Sequence, residues 1–361
     1  MFLAIAELRR ARGRFALLGA AVGLLVLLLL FFQAVAGALT GGLTGAYEQA
    51  RADVWVYDDQ ARLNPQGSVL DEGAVDAVAD VAGVAAASPV TFTVFDVDGE
   101  PSAVLATDAG SPALPRAVDG VLEQGTAVAG TSAFVEGDAA DLLALPGVDL
   151  DVAATADGAT FAILPTYFAP RDAVATATSE RAGRDVPLPT SAIAVAVADG
   201  EDATAVAAAI SDAVDGVEAV DRATAIEGLP GAGTITRSFG ILYVLLYVVV
   251  AIVTGVFFLI LTVQKRDALV LLRAVGAERG DVVRPVLVQV VVVVGVAVLV
   301  GTGAAVGLLS AAREVFGAGL DVGTILTSAG AILVLGLVAG LASLRRVLRA
   351  EPVEAVADGG L

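Results

Sequence analysis

Enzymatic chemistry needs a nucleophile with a base, a metal-ligating cluster or a phosphate-binding loop, and this 361-residue chain is poor in all three. It contains no His and no Cys. That removes the Ser-His-Asp and Cys-His nucleophile systems, Cys/His zinc sites and disulfides, along with the ordinary general base of neutral pH. No G-x-x-x-x-G-K-[ST] stretch occurs, and the single Lys, Lys265, stands in no such setting, so the chain lacks the usual cradle for ATP phosphates. Carboxylates are plentiful. Asp96, Asp98 and Glu100 alternate along a strand-and-turn pattern, with the oxygen chemistry that suits calcium or magnesium. No run follows the twelve-residue calcium loop, and in so acidic a region these carboxylates read as solvated surface. The expectation is no catalytic residue, no cofactor and no bound metal.

The segment with the sharpest functional pattern is Val263–Gln289, VQKRDALVLLRAVGAERGDVVRPVLVQ. It is basic and amphipathic and lies between two long apolar runs. The spacing predicts a helix over roughly Lys265–Val275, with Leu269, Leu271 and Leu272 among Arg266, Asp267 and Arg273. Gly276 fits a C-cap, and Asp281 is a candidate N-cap for the helix that follows. A short helix tied at both ends to membrane spans is a natural handle for a soluble motor. The plainer reading is a snorkelling loop that only sets topology.

Four runs reach the roughly 20 apolar residues that a bilayer crossing requires. They are 15–38, 241–263, 285–309 and 325–344, and each must be helical because lipid offers the backbone no hydrogen-bond partners. The first has Gln33 as its one strongly polar residue. Orientation follows from the basic clusters: Arg9, Arg10, Arg12 and Arg14 before the first span, Lys265 to Arg284 between the second and third, Arg345, Arg346 and Arg349 after the fourth. With four spans all three clusters fall on one side. The N-terminal segment 1–14, the 264–284 loop and the tail 345–361 are then cytoplasmic; 39–240 and the short loop 310–324 lie outside. The first apolar run also resembles a signal peptide, with Ala34-Val35-Ala36 as a cleavage-like site. At more than the usual 7–15 residues it is read as a retained helix. Ala4–Arg14 has the pattern of an amphipathic helix at the inner surface.

Charge is unevenly distributed. Residues 40–238 hold 31 Asp or Glu against 8 Arg, a net charge of −23, whereas the whole chain carries −19. So acidic a region repels nucleic acid. Together with the near absence of Lys, it reads as adaptation to high salt, where short Debye lengths screen self-repulsion. A stretch of about 200 residues is enough for a real core. Its pattern alternates strands and helices: 53–57 and 90–97 alternate as strands, the latter pairing with 103–106 across Asp98-Gly99, and 71–81 has helical spacing. A like unit recurs as strand 192–197, helix 202–214 and the extended run 218–223. VAGVAAASPV and VDGVEAVDRA are similar, which suggests two βαβ-type halves around an inserted, more irregular middle piece at about 110–184. Gly-x-x-x-Gly pairs at Gly19/Gly23, Gly303/Gly307 and Gly336/Gly340 read as general helix packing. Tyr243 and Tyr247 read as interfacial anchors.

The stretch RDALVLLRAVGAERGDVVRPVLVQ resembles the cytoplasmic loop of MacB/FtsX-type ABC transporter permeases, which runs R-x-E-[IL]-x-[LI]-L-R-A-[ILV]-G-A before a polar turn. The tail LRRVLRAEPVEAV resembles that family's ending, and GTAVAGTSAFVEGDAADLLAL the middle of its outside domain. The likeness spans the chain in layout and is specific over the loop and tail. Asp267 stands where the family usually has Glu, and Gln289 where an acidic residue is common. The resemblance implies an α-helical membrane protein with four transmembrane helices and an α+β extracytoplasmic domain of MacB-like periplasmic-core type. It also implies a separate ABC ATPase subunit that binds the ATP, a second permease copy or close relative, and a plasma-membrane location. Arg266, Asp267, Leu269, Leu272, Arg273, Ala274, Gly276 and Ala277 are then the expected ATPase-coupling residues, and Arg349, Pro352 and Ala355 mark the tail motif. The expected function is that of a permease subunit passing ATP-driven motion to the outside domain, for export, extraction or mechanotransmission, with an extracytoplasmic partner protein compatible with it. The alternative is a membrane-anchored binding or adhesion domain with no ATPase.

Overall fold

A computed structural model describes residues 12–71, 73–118, 122–123, 125–131, 141–264, 279–311 and 322–349. The chain divides into two compact units, one built on Ala36–Arg237 and the other on the remaining described segments.

Helix α1 runs Arg12–Gln49, 38 residues without interruption. The outside unit then opens with β1 (Val54–Asp58), α2 (Ala74–Ala79) and β2 (Val84–Val97). It closes with β8 (Ala192–Val197), α4 (Ala203–Ala213) and β9 (Val217–Asp221). These two strand–helix–strand units interleave. β1 pairs antiparallel with both β8 and β9, and β8 with β2, giving the local order β2-β8-β1-β9, a split βαβ arrangement. The likeness between VAGV and VDGV has a structural basis. Gly83 and Gly216 both have positive φ, 90° and 77°, in the turns leading into β2 and β9, a region open to Gly at no steric cost.

Strand β1 shows why this sheet is buried on both faces. Val54 and Val56 point to one side, against α2 and α4 through Val78, Val206 and Ile210. Trp55 and Tyr57 alternate to the other side and join a core with Tyr47, Phe92 and Phe161. Asp202 caps α4, its carboxylate accepting from Ala205 N at 2.9 Å.

The middle piece departs from its irregular reading. After β3 (Glu100–Thr107), which pairs with β2 as expected, it contains β4 (Thr126–Thr131), β5 (Leu142–Leu145), β6 (Val148–Asp157), β7 (Thr166–Pro170) and α3 (Arg171–Ala182). All its strands belong to the same nine-stranded sheet, in the order β5-β6-β4-β7-β3-β2-β8-β1-β9. The 14-residue β2 joins the halves: its first part pairs with β8, and Thr91–Val97 pairs with β3. The β2–β3 turn has Asp98 and Gly99 at φ 54° and 87°, the signature of a two-residue type I′ hairpin.

After the short α5 (Arg222–Gly228), three long helices follow: α6 (Ala232–Gln264), α7 (Arg279–Ala311) and α8 (Val322–Arg349). With α1 they are four helices long and apolar enough to cross a membrane. They differ from the expected spans at their ends. α1 continues eleven residues past Ala38, and α6 begins nine residues before Ile241. At about 1.5 Å per residue, α1 is about 57 Å long and α6 about 50 Å, against a hydrocarbon core of about 30 Å. The span limits were drawn where hydropathy fades; α1 persists where Gly42, Thr44, Gly45 and Ala46 are buried, whereas the added first turns of α6 bury Ala232 and leave Gly233, Thr234 and Thr236 exposed.

Small residues set the helix packing in the membrane unit. A Cβ on Gly23 would stand 3.3 Å from Ala297 O, and one on Gly301 would overlap Gly23 O, so α1 and α7 approach backbone to backbone. Gly336 and Gly340 receive Val294 and Val290, with Cβ positions 3.2 and 2.7 Å from their methyls. Gly19, Gly303 and Gly307 face open space within the chain. Two polar links join helices: Ser328 Oγ donates to Gln33 Oε1 at 2.9 Å, and Tyr243 OH donates to Phe32 O at 3.3 Å.

Candidate functional site

The expected coupling residues Arg266, Asp267, Leu269, Leu272, Arg273, Ala274, Gly276 and Ala277 lie outside the described residues, as do Pro352 and Ala355 of the tail; Arg349 is the last residue of α8. Their supports are described. α6 ends at Gln264 and α7 begins at Arg279. Asp281 is therefore inside the first turn of α7 rather than ahead of it as an N-cap, since the helix starts three residues earlier than its capping pattern suggests. The base of α6 is fixed to the start of α1 by aromatic contact: Phe257 meets Phe15 edge-on at 6.1 Å and Phe258 at 5.9 Å. Phe258 and Leu261 are buried. The base of α7 is fixed to α8 through Val290 against Gly340, and Gln289 beside it is buried.

The opposite ends of α1 and α6 belong to the outside unit. There a loop, residues 158–165, lies on the last turns of α1. Ala46 N donates to Thr160 O at 2.8 Å, Ile163 N to Gly42 O at 2.9 Å and Ala162 N to Leu43 O at 3.3 Å. The contact leaves no room for side chains: a Cβ on Gly45 would overlap Gly158 O, and one on Gly130 of β4 would overlap Ala159 O. One turn on, Tyr47 is fully buried, its ring 4.2 Å from Trp55 and 5.8 Å from Phe92. Tyr57 OH donates to Tyr47 OH at 3.1 Å. Burial pushes both hydroxyls up from the usual tyrosine range, so the pair stays neutral and acts as packing rather than as an acid or base.

The start of α6 is held through α5. Arg222 donates from Nε to Ala52 O at 2.7 Å and from Nη2 to Asp53 Oδ1 at 3.0 Å. Burial lowers the Arg222 guanidinium from its ordinary range, with Arg116 adding to that and Asp53 opposing it. Asp53 also accepts from Val197 N at 3.2 Å, so one carboxylate ties β1, β8 and α5 together. Leu229 and Ala232 then enter the same core as Tyr47.

Among the described residues no group of three or more Asp, Glu, His or Cys is placed to hold a metal ion. Asp96 is exposed, and its Oδ1 accepts from Gly99 N at 2.9 Å; it shapes the β2–β3 turn. What the described geometry offers is packing: the end of α1 and the start of α6 are held in the α+β unit. Sequence reasoning missed the grip on α1. Its one visible signal is the run Gly41-Gly42-x-x-Gly45 just beyond the apolar stretch.

Among the described residues the chain combines four helices long and apolar enough to cross a membrane with an α+β unit that lies, in sequence, between the first two. Residues 240–352 match the model of the FtsX-like permease C-terminal family. The match covers the last three of the four apolar helices. The structure is similar to the periplasmic region of MacB from Actinobacillus actinomycetemcomitans, at 9% identity and TM-score 0.33 over 48% of this chain and 90% of that one. It is also similar to the extracellular domain of the noncanonic ABC-type transporter YknZ from Gram-positive bacteria, at 11% identity and TM-score 0.33 over 47% of this chain and 99% of that one. No curated protein matches the chain.

Proposed function

We propose that this permease converts ATP hydrolysis by a separate ABC ATPase subunit into motion of its outside unit. The observation that carries this is the continuity of α1 and α6. Each is longer than a bilayer is thick, and each has its outer end in the core of the outside unit. In this reading a push on the 264–284 segment travels outward along α6, whose Phe257 packs on Phe15 of α1. None of the four spans contains a charged residue, and intramembrane charges usually mark polar solute paths; transmission of motion fits better than conduction. Swinging a two-state domain from 1:99 to 99:1 takes about 5.5 kcal/mol of differential binding, within reach of nucleotide-driven dimerisation of an ATPase pair.

In this reading Arg266, Asp267, Leu269, Leu272, Arg273, Ala274, Gly276 and Ala277 couple to the ATPase, with Arg266, Leu269, Leu272, Arg273 and Gly276 the contact itself, and Arg349, Pro352 and Ala355 mark the tail motif. Two copies, or one copy and a close relative, pair with two ATPases. Both termini are cytoplasmic in the plasma membrane, no cofactor is held by this chain, and ATP is bound and hydrolysed by the partner. The output is export or extraction of a substrate, or activation of an extracytoplasmic partner protein. The test is a pull-down of the tagged chain from native membranes in mild detergent at high salt. Recovery of an ABC ATPase, lost together with ATPase stimulation in Leu272→Asp, is the expected result. Recovery of the chain alone, where a control complex survives, would overturn it and leave an anchored binding or adhesion domain.

A further inference from the structure

The outside unit contains two pairs of consecutive non-glycine residues in the left-handed region. Arg62 and Leu63 have φ of 53° and 58°, and Ala162 and Ile163 have φ of 57° and 59°. L-residues avoid this region because Cβ crowds the following carbonyl, and a β-branched residue there is an outlier. Such conformations persist only where the surroundings over-determine them. Gly, Asn or Asp would hold either corner without strain, so its absence at both places calls for a reason.

Both corners touch the ends of the helices that run on into the membrane unit. The Ala162-Ile163 corner supplies two of the backbone bonds to α1, on Gly42 O and Leu43 O. The loop carrying it is wedged on Gly45 at one side and Gly130 at the other. The Arg62-Leu63 corner lies against the α5–α6 junction: a Cβ on Gly228 would stand 2.7 Å from Leu63 Cβ. Leu63 and Leu43 pack on one core with Leu229 and Ala232.

We propose that these two left-handed corners are fixed grips, which make the end of α1 and the start of α6 parts of the rigid outside unit. They do not open and close as latches. The backbone bonding and the absence of clearance at Gly45 and Gly130 argue for a grip: a loop that had to leave would break three backbone bonds to α1 at once. The proposal rests on the mechanical reading above, because a grip has a purpose only if the helices move.

The chain has no native Cys, so engineered pairs are clean. A Cβ on Gly42 would stand 3.9 Å from Ile163 Cα, within the reach of a disulfide. In the full-length Gly42→Cys/Ile163→Cys permease with its ATPase, oxidation should leave stimulated ATPase activity within about twofold of the reduced form. A loss of more than about tenfold that reductant reverses would mean the loop must part from α1 during the cycle, and would overturn the proposal. Hydrogen exchange on the unmodified chain in lipid nanodiscs tests the same point with no ATPase present. The Ala46, Ala162, Ile163 and Ala232 amides should exchange as slowly as those of β4. Exchange near the unprotected rate while β4 stays protected would overturn the grips even if the permease reading stands. If no ATPase responds to the unmodified chain, the permease reading fails and exchange alone decides the grips.

Discussion

Gly41 and Gly45 lie one turn apart on α1, and Ala at the two positions should shift stability in opposite directions. In a helix interior Gly→Ala ordinarily gains up to about 1 kcal/mol, because Ala loses less backbone entropy on folding. At Gly41 nothing lies within 4 Å of the new methyl, so Gly41→Ala should stabilise by about 0.5–1 kcal/mol. At Gly45 the methyl overlaps Gly158 O and comes within 3.0 Å of Gly158 C and 3.2 Å of Thr160 N. All three are backbone atoms and cannot swing aside. Overpacking costs about 1–3 kcal/mol, and displacing the loop weakens the bonds Ala46 N to Thr160 O and Ile163 N to Gly42 O, at about 1 kcal/mol each. After the helix-propensity gain is subtracted, Gly45→Ala should destabilise by about 1–4 kcal/mol. The single Trp, Trp55, is buried 4.2 Å from the Tyr47 ring and reports this core alone. Thermal unfolding of the full chain in detergent at fixed salt, read by Trp55 fluorescence, should show Gly41→Ala raised by about 2–4 °C and Gly45→Ala lowered by at least as much. A Gly45→Ala protein as stable as the parent, or two shifts of the same sign, would refute the claim that the loop sits on the α1 backbone.

Asp221 caps α5, accepting from Thr224 N at 2.7 Å and from Thr204 Oγ1 at 3.2 Å. These bonds, that from the Thr224 N–H foremost, hold its carboxyl below the usual range. The folded value lies below the unfolded one near 3.9, so the stabilisation is complete above about pH 4 and disappears as pH falls through the folded value. Asp221→Ala should therefore cost about 1 kcal/mol at neutral pH and converge on the parent in acid; a pH-independent gap would refute this. The outside region, with net charge −23 over residues 40–238, should gain thermal stability as KCl rises from about 0.1 M to about 1 M, where the Debye length shrinks from about 10 Å to about 3 Å. A Trp55-monitored transition that ignores salt would count against the high-salt reading.

Hydrophobic length and periodicity carried the architecture from the sequence, because those signals act on single segments. The apolar runs lie inside α1, α6, α7 and α8, and the alternation of Val54-Trp55-Val56-Tyr57 marks a strand buried on both faces. The strands of the middle piece were illegible for a compositional reason. β4 reads TAVAGT and most of β6 reads VAATAD, where small Ala and Thr give neither aromatic enrichment nor a strong hydrophobic alternation. α1 and α6 run past the expected spans because hydropathy ends where lipid ends, whereas a helix continues as long as its backbone is paired. The candidate coupling residues were legible only through resemblance. The grip on α1 was legible only as the run Gly41-Gly42-x-x-Gly45; its other side was not, since Ala162 and Ile163 carry no turn chemistry and their conformation is imposed by neighbours distant in sequence.

The register of α1 in the outside unit depends on two features that act differently. Gly37, Gly41 and Gly45 recur every fourth residue, on one face of the helix. Sliding α1 by one turn would bring Gly41 beneath the Gly158 carbonyl without a clash, so the glycines permit more than one seating. The aromatic cluster does not. The same slide would withdraw Tyr47 from its contacts with Trp55, Phe92 and Phe161 and put Leu43 in its place. It would also remove the hydrogen bond from Tyr57 OH, leaving that buried hydroxyl unpaired at a cost of about 1–3 kcal/mol. Glycine spacing thus lets loop and helix meet backbone to backbone, and the Tyr47–Tyr57 pair selects which turn they meet at. Tyr47 and Trp55 therefore hold the end of α1 to the sheet alongside the loop, in a single register.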